Sequence, residues 1–544
     1  MANVAKIAIN QCTEFLRDYY FYNYLIVDRE APPSRRIIIT WRGTGLCAHR
    51  CCAREDLAMK NYSASPMSAE RRIVSPALTD FSPDEIIAAA EQDRSAARRT
   101  VGQRFGPLLY GLAAFFLVAG PVLGASQADL QPALAQFSQE GSKLVGTFAV
   151  GLGEQGWSVA LSADGNTAIV GGLADNRITG AAWVYTRGNG VWTQQSKLAG
   201  AGAVGSAGQG WSVALSDDGN TAIVGGPFDT SNTGAAWVFT RSNDVWTQQG
   251  NKLVGSGAVG YARQGASVAL SADGNTAIVG GPFDTSNTGA AWVFTRSNGV
   301  WTQQRSKLVG TGAVGDAGQG ASVALSADGN TAIVGGPVDN SNTGAAWVYT
   351  RSGGVWTQLD NKLIGAGAVG NARQGASVAL SADGSTAIVG GPFDNLNTGA
   401  AWVYACSGTG WGTKLVGTGA VGNARQGVSV ALSADGSTAI VGGVEDKSYS
   451  GAAWVYSRSG TVWTQQANKL VGTDAIGSAG QGHSVALSAD GNTAIVGGLA
   501  DNRVRGAAWV YRRGGGVATI AETELHTYRS AAAPLKSCVS LRGR

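Results

Sequence analysis

The residues equipped for chemistry are few in this 544-residue chain, and they recur at fixed spacing. Between 136 and 513 stand one histidine, His483, and one cysteine, Cys406. Neither a Gly-x-Ser-x-Gly turn nor a His-Glu-x-x-His pair occurs. Nucleophilic catalysis needs a nucleophile, a base and a group that orients the base. Within this stretch, such a set would have to centre on His483.

Carboxylates come in two series of seven. Asp164, Asp218, Asp273, Asp328, Asp383, Asp435 and Asp490 each precede a glycine, the chemistry of a tight turn. A second Asp follows 11 residues later in every case: Asp175, Asp229, Asp284, Asp339, Asp394, Asp446 and Asp501. A calcium ion wants six or more oxygens, several of them carboxylate. One Asp per loop does not supply them, and Asp217-Asp218 is the single local doubling, a weak calcium candidate. No cofactor is expected. The second series lies in longer loops and is a candidate ligand-binding set. Its architectural alternative is that each Asp caps backbone N–H groups of its own loop.

Asymmetry is the better guide to a site. The residue before each Ser-Val is Trp157, Trp211, Ala266, Ala321, Ala376, Val428 or His483. Two Trp and one His would fall in one sector if unit seven adjoins unit one. Aromatic faces there would suit a sugar or a peptide. Arg263, Arg373 and Arg425 break the loop pattern in units three, five and six, where solvation or an acidic partner is expected.

These residues are carried by a repeat. GAAWV occurs with its Trp at 183, 237, 292, 347, 402, 454 and 509, in steps of 52 to 55 residues. Within unit three the pattern predicts strand A at Ser267–Ser271, an Asp273-Gly274 turn and strand B at Thr276–Gly280. The loop PFDTSNT leads to strand C at Ala290–Thr295. After Asn298-Gly299, strand D is expected over Val300–Gln304 and Lys307–Val309. Strand C is apolar on both faces, so it must be covered on both sides. Seven four-stranded units of this length predict an all-β, seven-bladed β-propeller. Unit seven lacks its VWTQQ..KLVG strand. Gln136–Gly146 (QFSQEGSKLVG) aligns with it, Phe137 standing for Trp, and should close the ring. The strand C tryptophans read as packing between blades. The outer set (Trp192, Trp246, Trp301, Trp356, Trp411, Trp463) lies where exposure to a partner is an alternative.

The recurrent Gln-Gly, SVALS and Gly-Gly-Pro residues resemble the FG-GAP repeats of the integrin α-chain propeller and its bacterial relatives. Gln264-Gly265 stands at the FG position and Gly280-Gly281-Pro282 at the GAP position. The resemblance covers about 136–513. It implies the propeller, and binding on the face where the B–C and D–A loops meet. Family members include adhesion receptors, binding proteins and some enzymes, so the fold alone assigns no activity.

The repeat region carries 22 Lys+Arg and 22 Asp+Glu. This neutrality argues against a nucleic-acid partner, which requires a basic footprint. Residues 1–104 form a flank outside the repeat, expected to be cytosolic or largely disordered. Its Cys47, Cys51 and Cys52 lack zinc-site spacing, and the biological start is read at Met67. Residues 105–125 hold no charge and follow Arg94, Arg98, Arg99 and Arg104. They are expected to be a cleaved signal or a membrane-spanning helix with the repeats outside. The tail, 514–544, is basic. The chain is therefore expected to be a periplasmic, cell-surface or secreted binding module for a protein or glycan. The alternatives are a lectin, or an extracellular hydrolase at Trp157, Trp211 and His483.

Overall fold

A computed structural model describes residues 136–405 and 412–514. These form seven four-stranded antiparallel sheets, each a blade. In blade three, strand A is Ser267–Leu270, B Thr276–Gly281, C Ala290–Ser297 and D Val300–Gln303. Two details differ from expectation. Strand D stops at Gln303, just before Arg305 at a left-handed φ of 59°. The chain then returns as one bridge, Leu308 to Ala291. In blades one and four strand D instead runs through, as Val191–Leu198 and Val355–Leu363. The B–C loop is also more ordered than a plain loop. Asp284–Asn287 makes a one-turn segment with Thr285, Ser286 and Asn287 at φ 48°, 53° and 71°. All seven blades carry this left-handed turn.

The apolar core lies between blades. Ile223, Ala236 and Val238 of blade two pack with Val279, Trp292 and Phe294 of blade three. Burying an aromatic side chain of this size stabilises by roughly 1.5–3 kcal/mol, and all seven strand C tryptophans are fully buried. Glycine lets them in. A Cβ on Gly255 would lie 2.1 Å from the Trp292 ring. The Trp292 indole N–H then donates to the Ser256 carbonyl at 2.8 Å. In blade seven, Trp509 donates instead to Asp474 Oδ1 at 2.6 Å.

The ring closes as the repeat pattern requires. Phe137–Gln139 pairs with Ala507–Arg513, Phe137 opposite Arg513. That register matches Trp301 opposite Arg296 in blade three. At the A–B turns a second closure runs through the backbone. Ala163, Asp217, Ala272, Ala327, Ala382, Ala434 and Ala489 each donate an N–H to the carbonyl of the next, and Ala489 returns to Ala163. The A–B and C–D hairpins share this end. Gly514 N–H donates to the Gln136 carbonyl at 3.1 Å, so both described ends of the propeller leave together. They leave beside the A–B turn of blade seven, where Arg513 N–H meets the Asn492 carbonyl.

The segments 1–104 and 105–125, Cys406, Trp411 and the tail beyond Gly514 lie outside the described residues. Among the described residues, no helix is long and apolar enough to cross a membrane.

Candidate functional site

The B–C and D–A loops meet at the other end of the ring. Gly234 of blade two bridges Gln264, where the chain enters strand A of blade three. Gln264 fixes the loop before it. Its side-chain amide accepts from Gly255 N–H at 2.5 Å and donates to Gly255 O at 3.0 Å. Gly265 follows at φ 86°, with Ala235 O only 2.2 Å from where a Cβ would sit. Glycine is required there by both conformation and space. The next residue is thereby aimed into the mouth of the ring.

At that position the structure brings three of the expected residues together. The Trp157 ring lies 4.7 Å from Trp211 and 4.7 Å from His483, centroid to centroid. Phe228, from the B–C loop of blade two, meets Trp211 edge-on at 5.2 Å. All four are half-buried. Blades three to six have only Ala266, Ala321, Ala376 and Val428 here. At this position the ring therefore carries aromatics in blades seven, one and two, and small residues in the other four. Desolvation pushes the His483 imidazole down to about 4, so it is neutral at pH 7.

The second aspartate series sits on the same face but beneath it. Asp229 Oδ1 accepts the Val204 N–H at 2.7 Å, and Oδ2 takes Lys252 Nζ at 2.6 Å. The other six repeat this arrangement. Asp175, Asp339, Asp394, Asp446 and Asp501 meet Lys197, Lys362, Lys414, Lys469 and Lys143 at 2.6–2.7 Å, and Asp284 pairs with Lys307. Each carboxylate is at most 3% exposed. These groups lock the left-handed B–C turn to the D–A loop. Lys143 comes from the closing segment, so closure extends to this ion pair.

The A–B aspartates occupy the opposite end. Asp273 accepts from Ser271 Oγ (2.6 Å), Asn275 N–H (2.9 Å) and Asn275 Nδ2 (2.9 Å). Desolvation raises its pKa, but these hydrogen bonds outweigh it and leave the carboxyl below its usual range. Asp218 makes the same turn, and burial with the neighbouring Asp218 charge raises Asp217. Among the described residues, no group of three or more His, Cys, Asp or Glu gathers as a metal site. The outer tryptophans are half-buried under arginines, as in Arg296 over Trp301 at 5.5 Å.

Two features of the mouth escape single-residue reading. Arg263 stacks over Phe228 at 5.4 Å and Phe283 at 4.6 Å. Arg373 and Arg425 flank Phe393 at 4.5 and 4.7 Å, and Arg425 also pairs with Glu445 at 3.0 Å. These arginines therefore belong to the mouth, extending the aromatic wall with guanidinium groups. Blade one carries Glu154 in the same register. Burial raises its carboxyl from 4.5 to about 7. The signal was available: aligning the residue before every Gln-Gly gives Glu, Gly, Arg, Gly, Arg, Arg, Gly.

A family model for the FG-GAP repeat matches residues 192–239, from strand D of blade one to strand C of blade two. The match spans one repeat unit of the seven-bladed propeller. No curated protein matches the chain. The matched segment contains the Gln209-Gly210 clamp, Trp211, Phe228 and Asp229. The FG-GAP signature thus covers both the architecture of a blade and one wall of the mouth. The recurrent Gln-Gly, SVALS and GAAWV residues are shared by all seven units. The differences at 157, 211 and 483 are not.

Proposed function

We propose that this FG-GAP propeller is an exported or surface-anchored binding module. Its partner docks on the B–C/D–A face, at the sector formed by His483, Trp157 and Trp211. One observation carries the reading: three aromatic rings joined through Trp157 at a position where four other blades have Ala or Val. Packing alone does not call for them, since Ala at the same position completes blades three to five. Partly exposed aromatics offer large area at low entropic cost. The charge-free stretch 105–125, preceded by four arginines, supports export or anchoring of the domain. Both propeller ends leave from the opposite face, so a tether there leaves the mouth unobstructed. A binding role is preferred to hydrolysis. Among the described residues, no carboxylate is hydrogen-bonded or ion-paired to His483, so none orients it as a general base.

The test is a paired glycan and peptide array probed with the full chain. Trp157→Ala with Trp211→Ala should abolish the recognised spots. Trp246→Phe, which copies Phe137 in the closing strand, should leave them intact. Arrays that bind wild type and the double variant equally would refute the reading.

A further inference from the structure

The rim around the mouth carries a feature that the aromatic sector does not use. Every D–A loop presents one aliphatic tip, from Val150 before blade one to Ile476 before blade seven, each 53–56% exposed. The backbone N–H of each tip is held at 2.6–2.8 Å by the buried aspartate of the blade it leads into. The repeat therefore sets seven anchored apolar tips at one level around the ring. Two larger side chains stand proud of them. Phe148 is 82% exposed and Leu396 85%. Both have left-handed backbones, at φ 60° and 55°. Five sister loops place glycine where Phe148 stands, and a Cβ on any of those glycines would meet nothing within 4 Å. Four sister turns place serine where Leu396 stands. Neither packing nor backbone geometry calls for a large apolar residue at these two positions, and strain of this kind points to function. Charge on the rim is also uneven. Arg177, Lys447, Arg503 and Arg505, in the B–C turns of blades one, six and seven, are exposed. Among the described residues of the B–C and D–A loops, Asp316, before blade four, is the single exposed acid.

We propose that this rim docks on an anionic lipid bilayer, Phe148, Leu396 and the aliphatic tips entering the acyl boundary and the four exposed basic side chains meeting the headgroups. Exposed apolar side chains beside cations are what an interfacial contact requires. The apolar groups come one or two to a blade, dispersed around a ring, whereas a protein interface concentrates them in a core. A level rim fits a plane. Both described ends of the propeller leave from the opposite face, so a tether there presents the rim to a facing bilayer. The contact uses none of Trp157, Trp211 and His483, so it stands or falls apart from the reading of the mouth.

The chain itself supplies variants that should fold. Phe148→Gly copies five sister loops and removes a non-glycine residue at φ 60°. Leu396→Ser copies blades two, three, four and six, and Arg177→Ser with Arg503→Ser copies the same blades. The full chain would be supplied in neutral phosphatidylcholine nanodiscs, which cover the apolar stretch 105–125, and captured on immobilised vesicles. Chain that stays outside the nanodiscs is read in the same way, since every variant keeps that stretch. Wild type should bind vesicles containing phosphatidylglycerol at least about tenfold more tightly than pure phosphatidylcholine, the scale of a few cations near an anionic surface. Arg177→Ser with Arg503→Ser should remove about tenfold of that preference. Phe148→Gly with Leu396→Ser should weaken capture on the anionic vesicles about tenfold while leaving thermal unfolding unchanged or raised. Equal capture on both vesicle types, or equal capture of wild type and the Phe148→Gly, Leu396→Ser variant, would overturn the proposal. So would soluble poly-glutamate binding that needs the two arginines but not Phe148 or Leu396, which would make the partner an acidic protein.

Discussion

Removing the Asp229 carboxylate separates scaffold from site. Asp229 is fully buried, and Lys252 is 19% exposed. Besides Val204 N–H and Lys252, the carboxylate accepts the Thr230 hydroxyl at 2.8 Å. Asp229→Ala strands all three donors. An orphaned buried N–H costs about 1–3 kcal/mol, and breaking a buried ion pair by removing one partner costs about 3–5 kcal/mol. These terms overlap, so the expected loss is about 3–5 kcal/mol. The Thr230–Asn232 turn adds to the demand for an anchor. Three non-glycine residues sit at φ 48°, 55° and 71°, a conformation costing about 1–2 kcal/mol per residue. Removing both charges, in Asp229→Asn with Lys252→Met, leaves no unpaired ion and should cost about 1 kcal/mol or less. Guanidinium unfolding followed by tryptophan fluorescence measures all three variants, and a strong positive coupling is expected. If Asp229→Ala unfolds within 1 kcal/mol of wild type, the scaffold argument fails. If it does so while abolishing ligand binding, the carboxylate belongs to the site.

Three further outcomes follow from other parts of the ring. Glu154→Gln should be indistinguishable from wild type near pH 4 and more stable by about 1–2 kcal/mol at pH 8, after discounting for partial exposure. The sign follows because a carboxyl raised to about 7 holds its proton better folded than unfolded. Wild type therefore loses stability as pH rises from about 4.5 to 7, and denaturation at both pH values checks it. Tyr349→Phe should be neutral or stabilising by up to about 1 kcal/mol in thermal unfolding. The Tyr349 hydroxyl is buried without a partner among the described residues, and Phe239 and Phe294 hold the same place in blades two and three. Deleting 136–146 removes Phe137, Lys143 and Leu144, leaving Ala507–Arg513 as an open edge and Asp501 without its lysine. Loss of more than about 5 kcal/mol or aggregation on size exclusion is expected; a monomer with unchanged melting would contradict the closure.

The architecture was legible because repetition converts weak local signals into a period. The GAAWV spacing counted the blades, and the missing strand at the end of unit seven located its replacement at the start. Asymmetry at 157, 211 and 483 likewise pointed to one sector, because ring order makes unit seven the neighbour of unit one. The strand D break at Arg305 was less legible. The same break follows Gln248 and Gln465 in blades two and six, but the left-handed residue is Gly250, Arg305 or Ala467 in blades two, three and six, so no shared residue type marks it.

Sequence by itself determined the strands, the seven-fold count, the closure and the position where aromatics replace alanine. Each follows from local turn chemistry, two-sided apolar strands and the order of units along the chain. Tertiary structure decided what the charged residues do. It buried the second aspartate series against lysines in or just after strand D, 20 to 23 residues away within a blade and 358 away for Asp501 and Lys143. It also set Arg263 between phenylalanines of two blades and placed Glu154 where desolvation raises its pKa. Spacing along a chain carries no information about which distant cation reaches a carboxylate, or how much water remains around it. Those depend on the packing of neighbouring blades, and that packing turns one set of acids into scaffold and leaves the aromatic mouth as the candidate site.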